Sequence, residues 1–212
     1  MARPRRPRDR VTNLPKYRYI NRTQLSGKEN LEELVERVKQ GDISAFGRIY
    51  DRLFDKVYGY VYRQVGKRAE AEDITSGVFL NAFEKIGGFT WQGAGFNAWI
   101  FRIAHNSVID HFRRQGRPFF EIEAVEETLE QPAAGLEEMI DTAWEEEELY
   151  AAIDDLPDEQ KQVILLRLMV NLSNREIGEV LSKSEGAVKA LQHRAMTNLR
   201  KSLAGSRRNE DG

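Results

Sequence analysis

Apolar residues recur at three- and four-residue intervals along most of the chain, and no segment alternates in the manner of a strand bounded by turns. Leu31, Leu34, Val35 and Val38 predict a first helix that Gly41 stops. Asp42 is placed to cap a second, in which Phe46, Ile49, Tyr50, Leu53, Val57, Tyr60 and Val61 form a wide apolar stripe ending at Gly66. A third runs from Ala69 to Ile86, with Ile74, Val78, Leu80, Phe83 and Ile86 apolar, and Gly87-Gly88 breaks it. The loop GGFTWQGAG follows, rich in glycine and carrying two aromatics. A fourth helix is expected over Phe96–Arg114. Its Ile100, Ala104, Val108 and Phe112 face a core, while Arg102, Asn106, Asp110 and Arg113 line up as a polar stripe at spacings of four, four and three. Trp99 is expected to be buried.

Beyond Pro118 the periodicity weakens. The stretch 119–150 is broken by Pro132 and Gly135, and its second half, with Leu136, Ile140, Ala143 and Trp144, predicts one more helix. Leu156-Pro157 marks a boundary, since a proline disfavours helix at the residue before it. Three helical patterns follow over 158–170, 173–181 and 185–203. The expected fold class is all-α, in two small helical domains. The division runs as a mostly disordered arm over 1–29, a first unit over 30–117, a linker over 118–149, a second unit over 150–204 and a disordered tail over 205–212.

Charge changes this picture more than composition does. The chain of 212 residues carries a formal net charge of −2, yet the segments differ sharply. Residues 1–30 carry +7, residues 31–118 carry +2, residues 119–160 carry −16 without one Lys or Arg, and residues 161–208 carry +7. Basic ends around an acidic middle suggest a polyanionic partner for the ends. The linker admits two readings, electrostatic steering or an autoinhibitory segment that covers the basic surfaces. There is no cysteine, so disulfides and thiolate metal sites are excluded. No apolar run approaches the roughly 18 residues that span a bilayer, and the basic start has no apolar core behind it, so neither membrane insertion nor a secretory signal is expected.

The second unit reads as a helix-turn-helix. Ser173 is placed to cap a short helix carrying Ile177, Gly178 and Leu181, with Gly178 small where two helices cross. Ser182-Lys183-Ser184 makes a tight turn, and Ser184 caps a longer helix whose Val188, Leu191, Ala195 and Leu199 face inward. Glu185, Lys189, His193 and Arg194 are left on other faces. An ordinary helical hairpin with a charged face is the plainer alternative.

Leu156-Pro157, Val163, Glu176-Ile177-Gly178, Leu181, Gly186, Val188-Lys189, Arg194-Ala195 and Leu199-Arg200 together resemble region 4 of bacterial RNA polymerase sigma factors, especially the extracytoplasmic-function (ECF) group. Asp73, Phe79 and Ala82, followed by Phe96, Trp99, Ile103-Ala104, Asn106, Asp110 and Arg113-Arg114, resemble region 2 of the same family. The resemblance covers roughly 40–117 and 150–203, and region 3 has no counterpart. Gly178 stands where alanine is usual, Ser182 where glycine is usual, and Ser76 where many members have glutamine.

The resemblance implies a protein that binds core RNA polymerase and promoter DNA and directs promoter-specific initiation. It places Asp73, Ser76, Asn81 and Glu84 on the polymerase. It places a base-capturing pocket at Thr90, Trp91 and Gln92. Arg102, Asn106, Arg113 and Arg114 are expected to face the −10 element, where opening a duplex requires cations and surfaces for unpaired bases. In the second unit, Ser184, Glu185, Lys189, Ala190 and His193 are expected to read the −35 element, with Arg175 and Arg194 on phosphates. An anti-sigma partner, a cytoplasmic location and a monomeric free state are implied alongside.

Two other classes fit parts of the same pattern. A stand-alone helix-turn-helix regulator predicts a palindromic operator and DNA binding without polymerase. A helical metalloenzyme would have to use His105, Asp110 and His111, but their spacings of five and six do not share a helix face as ligand pairs at three or four do. No metal, no cofactor and no catalytic activity are expected.

Overall fold

A computed structural model describes residues 29–91, 93, 95–116 and 146–210, the last six and Glu146 as backbone only. Four helices build the first unit: α1 (Leu31–Lys39), α2 (Ile43–Val65), α3 (Arg68–Lys85) and α4 (Phe96–Arg114). Four more build the second: α5 (Glu146–Asp154), α6 (Asp158–Val170), α7 (Asn174–Leu181) and α8 (Glu185–Glu210). The described residues contain no strand, and the fold is all-α, as the periodicity requires.

Local chemistry sets the helix ends. Asn30 and Glu33 form a capping box on α1. The Asp42 carboxylate accepts from the amides of Ser44 and Ala45 and so starts α2, while Gly66, at φ 75°, ends it with its amide on the Tyr62 carbonyl. Asp42 also meets the Arg37 guanidinium at 2.5 Å, which closes the α1–α2 corner. Ser44 and then Arg37 hold its carboxyl down at about 2.

Three boundaries differ from expectation. A 3-10 turn over Ile86–Gly88 takes the end that had been given to the third helix. Helix α5 begins at Glu146, inside the stretch assigned to the linker; the helix expected from Leu136 starts outside the described residues. Helix α8 runs on to Glu210, where a disordered tail was expected from 205. No proline interrupts that stretch, and its one glycine costs a helix interior only about 1 kcal/mol.

The two units are not held apart. Helix α7 packs on α4, α6 packs on α2, and the buried apolar side chains form one continuous cluster from Leu34 to Leu203. At the other end of this seam the Arg63 guanidinium of α2 lies 3.7 Å from the centre of the Tyr150 ring and 2.8 Å from Asp154, both on α5. Sequence periodicity had joined the units only by a linker, because it reports which face is buried and not what covers it.

Candidate functional site

The helix-turn-helix is built as its sequence suggests. Ser173 and Glu176 form a capping box at the start of α7, with the Ser173 amide donating to Glu176 Oε2 at 2.8 Å. Ser182 takes the left-handed conformation at φ 55°, a region that disfavours side chains with a Cβ. Gly178 is needed where α7 meets the turn: a Cβ there would lie 2.6 Å from the Lys183 carbonyl oxygen. Ser184 Oγ accepts from the Ala187 amide at 3.1 Å and caps α8.

The side chains expected on DNA in this unit divide into two sets. Arg175, Ser184, Glu185, Lys189 and His193 are exposed, and Arg194 is half-buried. Lys189 pairs with Glu185 at 2.8 Å and Arg175 with Glu179 at 3.5 Å, so both cations are held on the outer face. Ala190 departs from expectation, being only 1% exposed. Helix α8 packs against α5, α6 and α7 at once, which widens its buried face to take in Ala187 and Ala190 beside Val188 and Leu191. Ala190 is therefore a packing residue in this structure.

In the first unit, Arg102, Asn106, Asp110, Arg113 and Arg114 all stand exposed along α4. Asp110 orders the end of this stripe, since its carboxylate meets Arg113 at 3.3 Å and its carbonyl accepts from Arg114 Nε at 3.3 Å. Beside it the glycine loop is anchored by aromatic packing. Phe89 is buried, with ring centres 4.9 Å from Trp91, 5.3 Å from Phe96 and 5.2 Å from Trp99. Trp99 is half-buried in that cluster. Thr90 is exposed, and Trp91 is exposed with its indole N–H donating to Glu36 at 3.0 Å. Gln92 lies outside the described residues.

Under Trp91 opens a cavity of about 350 Å³ lined by Arg52 and Lys56 of α2, by Asn97 and, from the second unit, by Glu176. Burial, and then the charge of Arg52, lowers the pKa of Lys56. Asn97 Oδ1 is buried with no hydrogen-bond partner among the described residues. An aromatic face, two cations and an open acceptor are the groups that receive an unpaired base and its phosphate. Arg52, Lys56 and Asn97 were missed from sequence. Arg52 and Lys56 stand one position before the core residues Leu53 and Val57 of α2, and only the fold brings them under the loop.

On α3, Asp73, Ser76 and Glu84 are exposed, whereas Asn81 is half-buried with Oδ1 unpartnered among the described residues. The Ser76 hydroxyl donates to the Glu72 carbonyl at 2.9 Å. The same face exposes large apolar groups: Leu80 is 61% exposed and Phe83 39%, joined by Tyr50 and Ile43 of α2. Phe46 packs edge-on against Phe83 at 4.9 Å and Tyr50 lies 4.6 Å from Phe79, so these side chains form one patch. Such a patch marks a partner surface. The helical pattern had listed Leu80 and Phe83 simply as apolar positions.

The histidines of α4 serve separate contacts. His105 is buried, with Nδ1 3.3 Å from Tyr60 Oη. Burial, and then the nearby Lys183, lowers it to about 4. His111 Nε2 lies 3.1 Å from Glu70 across an open groove between α3 and α4, which Asp73, Asp110, Arg113 and Arg114 also line.

Comparison with known proteins bears directly on this geometry. Residues 49–118 match the family Sigma-70 region 2, and residues 152–201 match Sigma-70, region 4. The chain is 39% identical over 183 residues to the ECF RNA polymerase sigma factor BldN of Streptomyces coelicolor, covering 84% of this chain and 67% of that protein. It is 34% identical over 182 residues to the ECF sigma factor SigW of Bacillus subtilis, covering 82% and 96%. The fold is similar to CnrH, solved in complex with the cytosolic domain of CnrY, at a TM-score of 0.58 and 23% identity over 81% of this chain and 96% of that one. The chain belongs to the sigma-70 family, in its ECF group. It is a transcription initiation factor that works with RNA polymerase on promoters. No helix among the described residues is long and apolar enough to cross a membrane.

Proposed function

We propose a division of labour within this sigma factor. Residues 30–117 dock on core polymerase and handle the −10 element, and residues 150–204 read the −35 element. The observation that carries it is the pairing, on one unit, of an exposed apolar patch on α2–α3 with a cationic stripe on α4. Leu80, Phe83, Tyr50 and Ile43 supply contact area to the polymerase, and Asp73, Ser76, Asn81 and Glu84 around them supply polar register.

The −10 strand runs along Arg102, Asn106, Arg113 and Arg114. An unpaired base enters beside Thr90, Trp91 and Gln92, over Arg52 and Lys56. In the second unit, Ser184, Glu185, Lys189 and His193 face the major groove, and Arg175 and Arg194 hold phosphates. The chain itself performs no catalysis, acts in the cytoplasm, is monomeric when free and is restrained by an anti-sigma partner. The acidic stretch 118–149 and the basic arm 1–29 lie largely outside the described residues. Run-off transcription with purified core polymerase tests the reading. A start site that depends on two separated promoter elements is expected, and failure to form a complex with core would sink it.

A further inference from the structure

We infer that the basic arm of residues 1–28 is a further nucleic-acid-binding element, rooted through Glu29 on the rim of the strand-capturing pocket, where it holds the DNA strand that the pocket engages. This rests on the reading of that pocket as a DNA site. Glu29, the first described residue, is held at three points. Its carboxylate accepts from Arg37 at 2.7 Å and from Arg48, and its carbonyl accepts from Arg52 Nη1 at 3.2 Å. Arg52 lines the cavity under Trp91, and so do Asn30 and Leu31, the next two residues of the chain. The arm therefore joins the fold at the edge of that cavity.

Charge and residue type name the partner. Nine of residues 1–28 are Lys or Arg, and Asp9 is the one acid. Tyr17 and Tyr19 alternate with Lys16 and Arg18, a mixture of cations and stacking faces that holds a single strand without reading its sequence. Covalent geometry keeps Tyr19 within about 35 Å of Glu29, so these groups meet a strand in the pocket at an effective concentration on the order of millimolar. The folded surface points the same way. Arg48, Arg52 and Lys56 stand four apart on α2 and share one side of it, leading from Glu29 to the cavity. Tyr50, of the apolar patch given to polymerase, is two residues from Arg52 and points about 160° away. Arm and polymerase thus use different sides of this helix. The acidic stretch 119–160 is the rival occupant within the chain, but it offers no bases on which two tyrosines can stack.

The test uses the full chain in complex with core polymerase and a promoter fragment whose −10 segment is held open by mismatches. The −10 sequence is defined beforehand by run-off transcription. One variant combines Lys16→Gln, Arg18→Gln, Arg22→Gln and Lys28→Gln. All four positions precede the first helix, so the packed core is untouched. A second protein carries the photo-crosslinking residue p-benzoylphenylalanine in place of Tyr19.

For the quadruple variant, the plot of log affinity against log salt is expected to become shallower by about 2 to 3, since each single-strand phosphate contact contributes roughly 0.7. The crosslink is expected on the opened strand. An unchanged slope overturns the inference, and so does a crosslink confined to polymerase or to residues 119–160 of the chain itself. Trp91→Ala on the same fragment is the separate control. If it weakens binding about tenfold, the loss of one stacked base, while the quadruple variant matches the parent, the pocket stands and the role of the arm falls. If Trp91→Ala leaves binding unchanged, the pocket reading falls and takes the placement of the arm with it.

Discussion

Tyr60 Oη and His105 Nδ1 meet at 3.3 Å in the interior, where α2 and α4 cross beneath the turn that carries Lys183. Both groups are kept neutral there. Burial raises the Tyr60 phenol well above its usual range and lowers His105 to about 4. An unfolded histidine titrates near 6.5. Between these values the unfolded chain binds the extra proton, so the stabilising share of a neutral His105 is whole above about pH 6.5 and is lost as pH falls toward 4. The loss amounts to about 3 kcal/mol at most. Denaturant midpoints from pH 7.5 to 4.5 should fall for the parent and fall less for His105→Gln. An imidazole that titrates normally by NMR would refute this.

Gly178 and Ser182 form the second relationship with a definite consequence. A Cβ at position 178 would approach the Lys183 carbonyl to 2.6 Å, and a backbone atom cannot swing away as a side-chain tip can. Gly178→Ala should therefore lower stability by about 1–3 kcal/mol, the usual cost of overpacking, although alanine is common at this place in the family. Ser182 bears a left-handed φ of 55°. Ser182→Gly relieves that conformation and should be neutral or stabilising by up to about 1 kcal/mol. Thermal unfolding of the two variants reads opposite signs.

The α3 face yields a prediction about binding without folding. Leu80 is 61% exposed, so replacing it removes little from the core. Leu80→Asp should weaken complex formation with core polymerase at least about tenfold, the effect of losing a contact worth 1.4 kcal/mol or more, and leave the melting temperature within a degree or two. Equal affinity for core in a titration against the parent would remove this patch from the docking surface.

How far the sequence reached depends on which kind of information each feature needs. The caps at Asp42 and Ser173 and the stop at Gly66 follow from local chemistry and stand where the pattern put them, whereas the bounds of α5 and the end of α8 do not. The α4 stripe was visible because Arg102, Asn106, Asp110 and Arg113 all belong to one helix. The pocket was half visible. Trp91 entered through the family resemblance, whereas Arg52 and Lys56 join it only through the packing of α2 beneath that loop. The seam between α4 and α7 was invisible, because an apolar face carries no mark of its partner. Phe101 and His105 are buried, although the core face expected for this helix was Ile100, Ala104, Val108 and Phe112.

Ala190 tests the distinction between reading residues and packing residues in α8. The family resemblance set it among the candidates for base contact beside Lys189, but its side chain is buried while Glu185, Lys189 and His193 are exposed. A methyl buried at a crossing of several helices leaves no room for a larger group. Ala190→Leu should destabilise by about 1–3 kcal/mol and lower promoter binding in proportion to the unfolded fraction, with no change of preferred −35 sequence. His193→Ala should do the reverse, leaving thermal stability near that of the parent and altering selection among −35 sequences. A base contact typically discriminates by about 1–3 kcal/mol, which is large enough to see in a library of −35 variants. If Ala190→Leu instead shifts the selected sequence at unchanged stability, α8 must turn on the promoter to expose a face that is closed here.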